Sequence, residues 1–282
     1  MVETLHTLAE KYETRDFIVG DPSWFMHQVE KEADKELIAF IASALSYGSR
    51  KQFLPKIQLL LDDISHYYAE TTNYKDMAMT KLWLIDERYK YLLNDSSQSF
   101  YRLYSHSTFR KFLDVLREMV IQYGSIKDFL IAKNNITEGK KISGLDAIKN
   151  ITLWFYDNGS IGVIPKDTAS SCKRVCMFLR WMVRKGSPVD IGIWSDIISQ
   201  ESLIIPMDTH VVQEAIKMKL ITSRSTSMSN ALKLTQELKK VFPDDPTKGD
   251  FALFGLGVDE ELRRVDENNR INSSTELKLS QD

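Results

Sequence analysis

Cys172-Lys173-Arg174-Val175-Cys176-Met177-Phe178-Leu179-Arg180-Trp181-Met182-Val183-Arg184 is the stretch on which the fold is read. Cys172, Val175, Cys176, Leu179, Met182 and Val183 recur at steps of three and four, the spacing of one face of an α-helix. Lys173, Met177, Arg180 and Arg184 fall along the other side. A polar turn, Pro165 to Ser171, leads into this helix. A connector from Gly186 to Leu203 leads out of it, as a loop or an extra helix, toward Ile205-Pro206-Met207-Asp208-Thr209-His210-Val211.

The same periodicity continues in both directions. Upstream, 1–16 has helical spacing, and Asp21-Pro22-Ser23 is a turn with Pro at the first position of a helix holding Trp24, Phe25 and Val29. From Asp34 a helix is apolar on most faces (Leu37, Ile38, Phe40, Ile41, Ala44, Leu45), as a centrally buried helix is. Ser46-Tyr47-Gly48-Ser49-Arg50 interrupts it before another helix begins. Helical patterns follow at Lys81 to Leu93, Ser105 to Tyr123, Ile126 to Ala132 and Ala147 to Trp154, with a polar loop at 134–143. Downstream, helices are expected after His210, from Ser227 to Val241, and around Phe251 to Gly257. From Asp259 the chain becomes polar and charged, a frayed tail over 259–282. Only 12 Gly and 7 Pro, no internal repeat and no convincing strand pair give an all-α class.

The chain's 282 residues suffice for one large or two modest domains, and its 43% hydrophobic and 27% charged content is that of a soluble globular protein. No apolar run reaches the roughly 18 residues of a membrane span, and Met1 to His6 has no basic-then-apolar order, so a cytoplasmic protein is expected, nucleoid-associated if bacterial. Cys172 and Cys176 share a helix face and read as buried thiols; no further ligand cluster accompanies them, so neither metal nor cofactor is expected. The net charge of −2 does not announce nucleic acid, but its distribution does. Lys166, Lys173, Arg174, Arg180, Arg184 and Lys185 stand against Asp167 alone, a local excess of +5 that could meet phosphates.

Two residues carry candidate chemistry. Lys173 stands in a first helical turn, where the helix dipole and Arg174 both oppose a cation and favour the neutral amine a nucleophile requires. The plain alternative is a solvated basic face. Asp208 before Thr209-His210-Val211 is a standard N-cap, and the amides that satisfy such a carboxylate also keep it ionised.

Lys173 followed by an apolar helix, and then Ile205-Pro206-Met207-Asp208-Thr209-His210-Val211, resembles the helix–hairpin–helix DNA glycosylase superfamily of endonuclease III and the 8-oxoguanine and adenine glycosylases. Arg180 to Arg184, Val189 to Trp194 and Asp250 to Gly257 look like a bacterial branch of it, with some likeness to archaeal 8-oxoguanine glycosylases. The resemblance spans about 34–258 and is strongest over 164–212. It implies a two-lobed helical bundle with a hairpin element and a cleft between lobes. One domain would cover 34–185, and 1–33 with 186–258 would form the second lobe.

The resemblance implies Lys173 as Schiff-base nucleophile and Asp208 as catalytic carboxylate, with Lys166, Thr168, Ser170, Ser171, Arg174 and His210 on the DNA backbone. Tyr47 or Arg50 would fill the gap left by an extruded base, and Trp154, Trp181, Trp194 or Phe251 would stack on that base. The partner implied is duplex DNA with a damaged base or abasic site, bound by a monomer. The sequence departs from the family in three ways. The glycine-rich hairpin is replaced by Ile164-Pro165-Lys166-Asp167-Thr168-Ala169-Ser170-Ser171-Cys172, Lys173 and Asp208 stand 35 positions apart, and no four-cysteine cluster follows Gly257. Two other classes remain: a non-catalytic DNA-structure binder, and a helical adaptor whose basic helix is merely solvated.

Overall fold

A computed structural model describes residues 1–71 and 76–257; the tail expected over 259–282 lies outside the described residues. The chain is mostly helical: α1 Val2–Tyr12, α2 Glu32–Leu45, α3 Arg50–Glu70, α4 Met79–Ile85, α5 Tyr89–Leu92, α6 His106–Tyr123, α7 Ile126–Asn134, α8 Gly144–Asp157, α9 Lys173–Val183, α10 Thr209–Lys217 and α11 Met228–Lys239. Residues 248–257 are helical as well. No helix among the described residues is long and apolar enough to cross a membrane.

Helix α2 occupies the centre because its residues from Leu37 to Leu45 are all buried, leaving no solvent face. Its two buried acids are satisfied by the starts of other helices. Asp34 accepts the amides of Met79 (3.1 Å) and Thr80 (2.6 Å), and Glu36 accepts those of Ile126 (2.7 Å) and Lys127 (3.3 Å) and the Trp194 indole N–H (3.2 Å). Each carboxylate meets backbone donors that a helix start leaves unpaired, so the central helix orients α4 and α7. Phe40 of α2 meets Phe112 of α6, Phe155 of α8 and Phe178 of α9 with ring centroids 5.8, 5.4 and 4.9 Å apart. That aromatic junction fixes α9 against the core.

Helix starts follow local chemistry. Ser105, Ser125, Ser143, Asp208 and Ser227 each cap a helix by accepting a backbone amide. Three expectations are corrected. Pro22–His27 is a 3-10 turn rather than an α-helix. The pattern over 81–93 divides into α4 and α5, with Glu87 at φ 57°, a left-handed conformation that interrupts a helix. A hairpin was also missed: β1 Ser99–Tyr101 pairs antiparallel with β2 Tyr104–Ser105. Strands of three and two residues are too short to show alternation.

The 186–203 connector contains no α-helix, only the 3-10 turn Gln200–Ser202. It folds back over the C-terminal end of α9, where Ile191 and Trp194 donate to the Trp181 and Met182 carbonyls at 2.8 and 2.7 Å. Gly192 (φ 73°) permits this return, since a Cβ there would stand 2.7 Å from the Arg184 carbonyl oxygen.

Candidate active site and nucleic-acid interface

Lys173 is the first residue of α9, and Asp208 is the N-cap of α10. The 35 positions between them are closed by the residues just before each. The buried Ser171 hydroxyl donates to the Met207 carbonyl at 2.7 Å, and the Ser171 amide donates to the Thr226 carbonyl at 2.8 Å. With these two segments joined, Lys173 Nζ lies 3.0 Å from Asp208 Oδ2, and the two side chains keep 35% and 31% of their surface exposed. The amine and the acid therefore form one solvent-accessible pair. Asp208 Oδ1 also accepts the Val211 amide at 3.0 Å, so capping and ion pairing share one carboxylate.

Burial pushes the Asp208 carboxyl up, but the Lys173 ammonium, the Val211 amide and His210 outweigh it and hold it below the usual carboxylate range. The acid is ionised at neutral pH. Lys173 is an ion-paired amine rather than a free one, an influence that the position in the helix alone did not show. Cys172 precedes it at φ 49°, and both cysteine thiols are free and buried. Burial raises both thiols, most strongly Cys176, so neither is a nucleophile at neutral pH.

The basic strip divides in two. Arg180 and Arg184 do not face solvent; each is only 3% exposed. Arg180 pairs with Asp190 (3.4 Å) and Asp250, and Arg184 pairs with Glu13 (2.7 Å), Asp245 (2.6 Å) and Asp190. Both guanidinium groups lie over the Phe251 ring, at 4.5 and 5.3 Å. The expected solvated basic face is thereby corrected: these charges belong to the interior and are unavailable to phosphate. Ser171 is likewise occupied, by the Met207 carbonyl. Lys166, Ser170 and His210 are exposed and Thr168 is partly so.

Arg174 is held rather than free. Its Nη1 donates to the Ala44 carbonyl at 2.7 Å and to the Tyr104 hydroxyl, and its guanidinium lies 5.9 Å from the Tyr47 ring. Tyr47 is 46% exposed. Arg50 reaches Asp21 at 3.4 Å and lies 5.4 Å from the Phe254 ring.

The aromatic residues expected to stack on a base are mostly structural. Trp181, Trp194 and Phe251 have no exposed surface. Trp194 is bonded to Glu36, and Phe251 is covered by the two arginines. Trp154 is partly buried between Tyr123 and Phe129, with its N–H toward the Val115 carbonyl at 3.3 Å. The first three offer no face to a ligand, which corrects that expectation.

Asp250 was not singled out. It lies in the 248–257 helix, where burial pushes it up to about 6, against Arg180 and Lys173 and reinforced by Asp208 and Asp190. It thus stands within electrostatic reach of the Lys173–Asp208 pair. The only local signal was an acid preceding Phe251 in a segment read as apolar. A cavity of about 460 Å³ between residues 219–223 and α11, lined by Lys219, Thr222, Asn230 and Lys233, contains neither Lys173 nor Asp208. Among the described residues no group of three or more His, Cys, Asp or Glu side chains is placed to hold a metal ion.

A family model described as "Protein of unknown function (DUF2400)" matches residues 21–259, and the chain belongs to that family. No curated protein and no solved structure matches the chain.

Proposed function

We propose that this DUF2400 protein is a DNA base-excision glycosylase with AP-lyase activity, acting on duplex DNA through Lys173 and Asp208. One observation carries the reading: an amine and an ionised carboxylate, 35 positions apart in sequence, meet at 3.0 Å at two helix starts while both remain open to solvent. An exposed ion pair contributes at most about 1 kcal/mol to stability. A buried tie from the Ser171 hydroxyl to the Met207 carbonyl thus holds in register a pair that itself adds little to the fold.

In this reading a nucleotide is extruded from the duplex, and Asp208 stabilises the positive charge developing on its sugar. Lys173 gives up a proton, with Asp208 as the adjacent acceptor that passes it to the departing base. The amine lone pair then bonds to C1′, and the base leaves with the electrons of the N-glycosidic bond. The C1′–O4′ bond then opens as a proton of the attached nitrogen passes to O4′, which leaves an iminium and a 4′-hydroxyl. Loss of the C2′ proton then expels the 3′ phosphate and nicks the strand. The α8–connector–α9 order supports reading 164–172 as a glycine-free helix–hairpin element, with Lys166, Thr168, Ser170 and His210 at the backbone. An oxidised purine is the lesion weighted by the superfamily resemblance, and the reading implies a location with the chromosome.

The test is borohydride reduction with an abasic duplex. Wild type forms a covalent adduct, Lys173→Gln reduces it to background, and Asp208→Asn lowers its rate by about two orders of magnitude, as loss of one preorganised charge does. An adduct that survives Lys173→Gln would falsify the assignment of the nucleophile. The engagement of Lys173 by Asp208 favours a second reading, a DNA-structure binder with a static ion pair. That protein would bind the abasic duplex in a salt-dependent way and form no adduct.

A further inference from the structure

The hairpin that sequence periodicity missed is attached to the candidate site at several points. The Tyr101 hydroxyl donates to the Tyr47 carbonyl, and the Arg102 guanidinium lies 5.1 Å from the Tyr47 ring. The Tyr104 hydroxyl receives Arg174, the residue next to Lys173. Lys56 of α3 lies 5.2 Å from the Phe100 ring. A single hairpin is thereby joined to the α2–α3 turn, to α3 and to the start of α9.

Its tip differs from its base. Phe100, Tyr101 and Tyr104 are all buried, whereas Leu103 is 79% exposed. Arg102 is exposed too, and adopts φ 48°, a conformation that Gly or Asn usually takes in a two-residue turn. A large apolar side chain is thus held out into solvent on a rigid, aromatic-anchored support. Its electrostatic setting is one-sided. Neither 46–52 nor 99–106 contains an acidic residue, while together they carry Arg50, Lys51 and Arg102. Arg50 is held by Asp21, so the cations beside the exposed leucine are Lys51 and Arg102, a composition suited to a probe that enters a base stack while its neighbours meet phosphates. Tyr47, by contrast, is clamped through its carbonyl and its ring. It is a fixed platform rather than a free insert.

We propose that the Ser99–Ser105 hairpin is the duplex-opening element of this protein, with Leu103 entering the DNA base stack beside the extruded nucleotide and Arg102 and Tyr47 supporting it. This rests on the DNA reading above, and it moves the inserted side chain from the α2–α3 turn to the hairpin tip.

The experiment separates the two ideas by using Lys173→Gln protein, in which no covalent chemistry occurs. The probe is a duplex carrying a tetrahydrofuran abasic analogue, with 2-aminopurine opposite or next to it. Unstacking raises 2-aminopurine fluorescence. Lys173→Gln protein is expected to raise it several-fold, and adding Leu103→Ser or Leu103→Asp to remove most of that rise and weaken binding by about tenfold. Because Leu103 is exposed, the melting temperature stays at that of the parent and excludes misfolding as the cause. A full rise in both double variants, or no rise with the parent, overturns the hairpin proposal. Adduct formation by wild type is measured separately and decides the glycosylase reading whichever way the fluorescence falls.

Discussion

The two ends of α9 hold the same kinds of residue in opposite settings. At its start, Lys173 and Asp208 form a single ion pair, each side chain about one third exposed. At its end, Arg180 and Arg184 sit among Asp190, Asp245, Asp250 and Glu13 with almost no exposure. Charges in water gain little from pairing, whereas buried charges depend wholly on their partners. The sealed end is therefore committed to the fold. The open end contributes little to stability and is available for chemistry.

The sharpest way to break this contrast is to remove a buried arginine. Arg184→Ala strips partly buried Asp245 of its guanidinium partner and leaves Asp190 to Arg180 and Glu13 to Lys248, and is expected to cost about 3–5 kcal/mol. Thermal unfolding that matched wild type would show that the two ends do not differ. A smaller loss is expected at Glu36, a buried acid of α2. Burial raises it to about 7, although it accepts three N–H donors. Glu36→Gln sets an amide NH2 against some of those donors and costs about 1–3 kcal/mol in chemical denaturation.

Glu36 and Asp250 also give the contrast a pH dependence. Both carboxyls titrate higher in the folded protein, near 7 and 6, than carboxyls do in an unfolded chain, about 4. Their contribution is complete below pH 4 and is lost as pH rises through 6 and 7. Asp208 has the opposite sign: its depressed carboxyl contributes above pH 4 and loses that contribution as pH falls. The melting temperature should therefore decline between pH 5 and 8, and Glu36→Gln should flatten the upper part of that decline. A slope unchanged in the variant would assign the titration elsewhere.

The smallest effects belong to the open end. Asp208→Ala removes the α10 cap and costs about 1 kcal/mol. Lys173→Gln changes stability by less than about 1 kcal/mol, yet it is the variant expected to abolish the covalent adduct. A stability loss at Lys173 as large as that at Arg184 would make the pair a piece of scaffold.

Much of this was readable residue by residue. The steps of three and four in α9, the apolar faces of α2 and the Asp208 cap are relations between neighbours in the chain, and the structure has them. Lys173 and Asp208 could be nominated as a pair because each marks a helix start. The rest depended on distance. The 99–105 hairpin has strands too short for a period, and Asp250 looked like one more acid beside an apolar run.

Sequence alone determined that the chain is helical, where most helices start, and which two residues merit a chemical reading, because periodicity and capping act within one or two turns. Tertiary structure alone decided that Arg180 and Arg184 face inward, that Ser171 brings Asp208 to Lys173, and that Leu103 stands exposed. A charge is buried or free according to partners tens of residues away, and no local spacing carries that information.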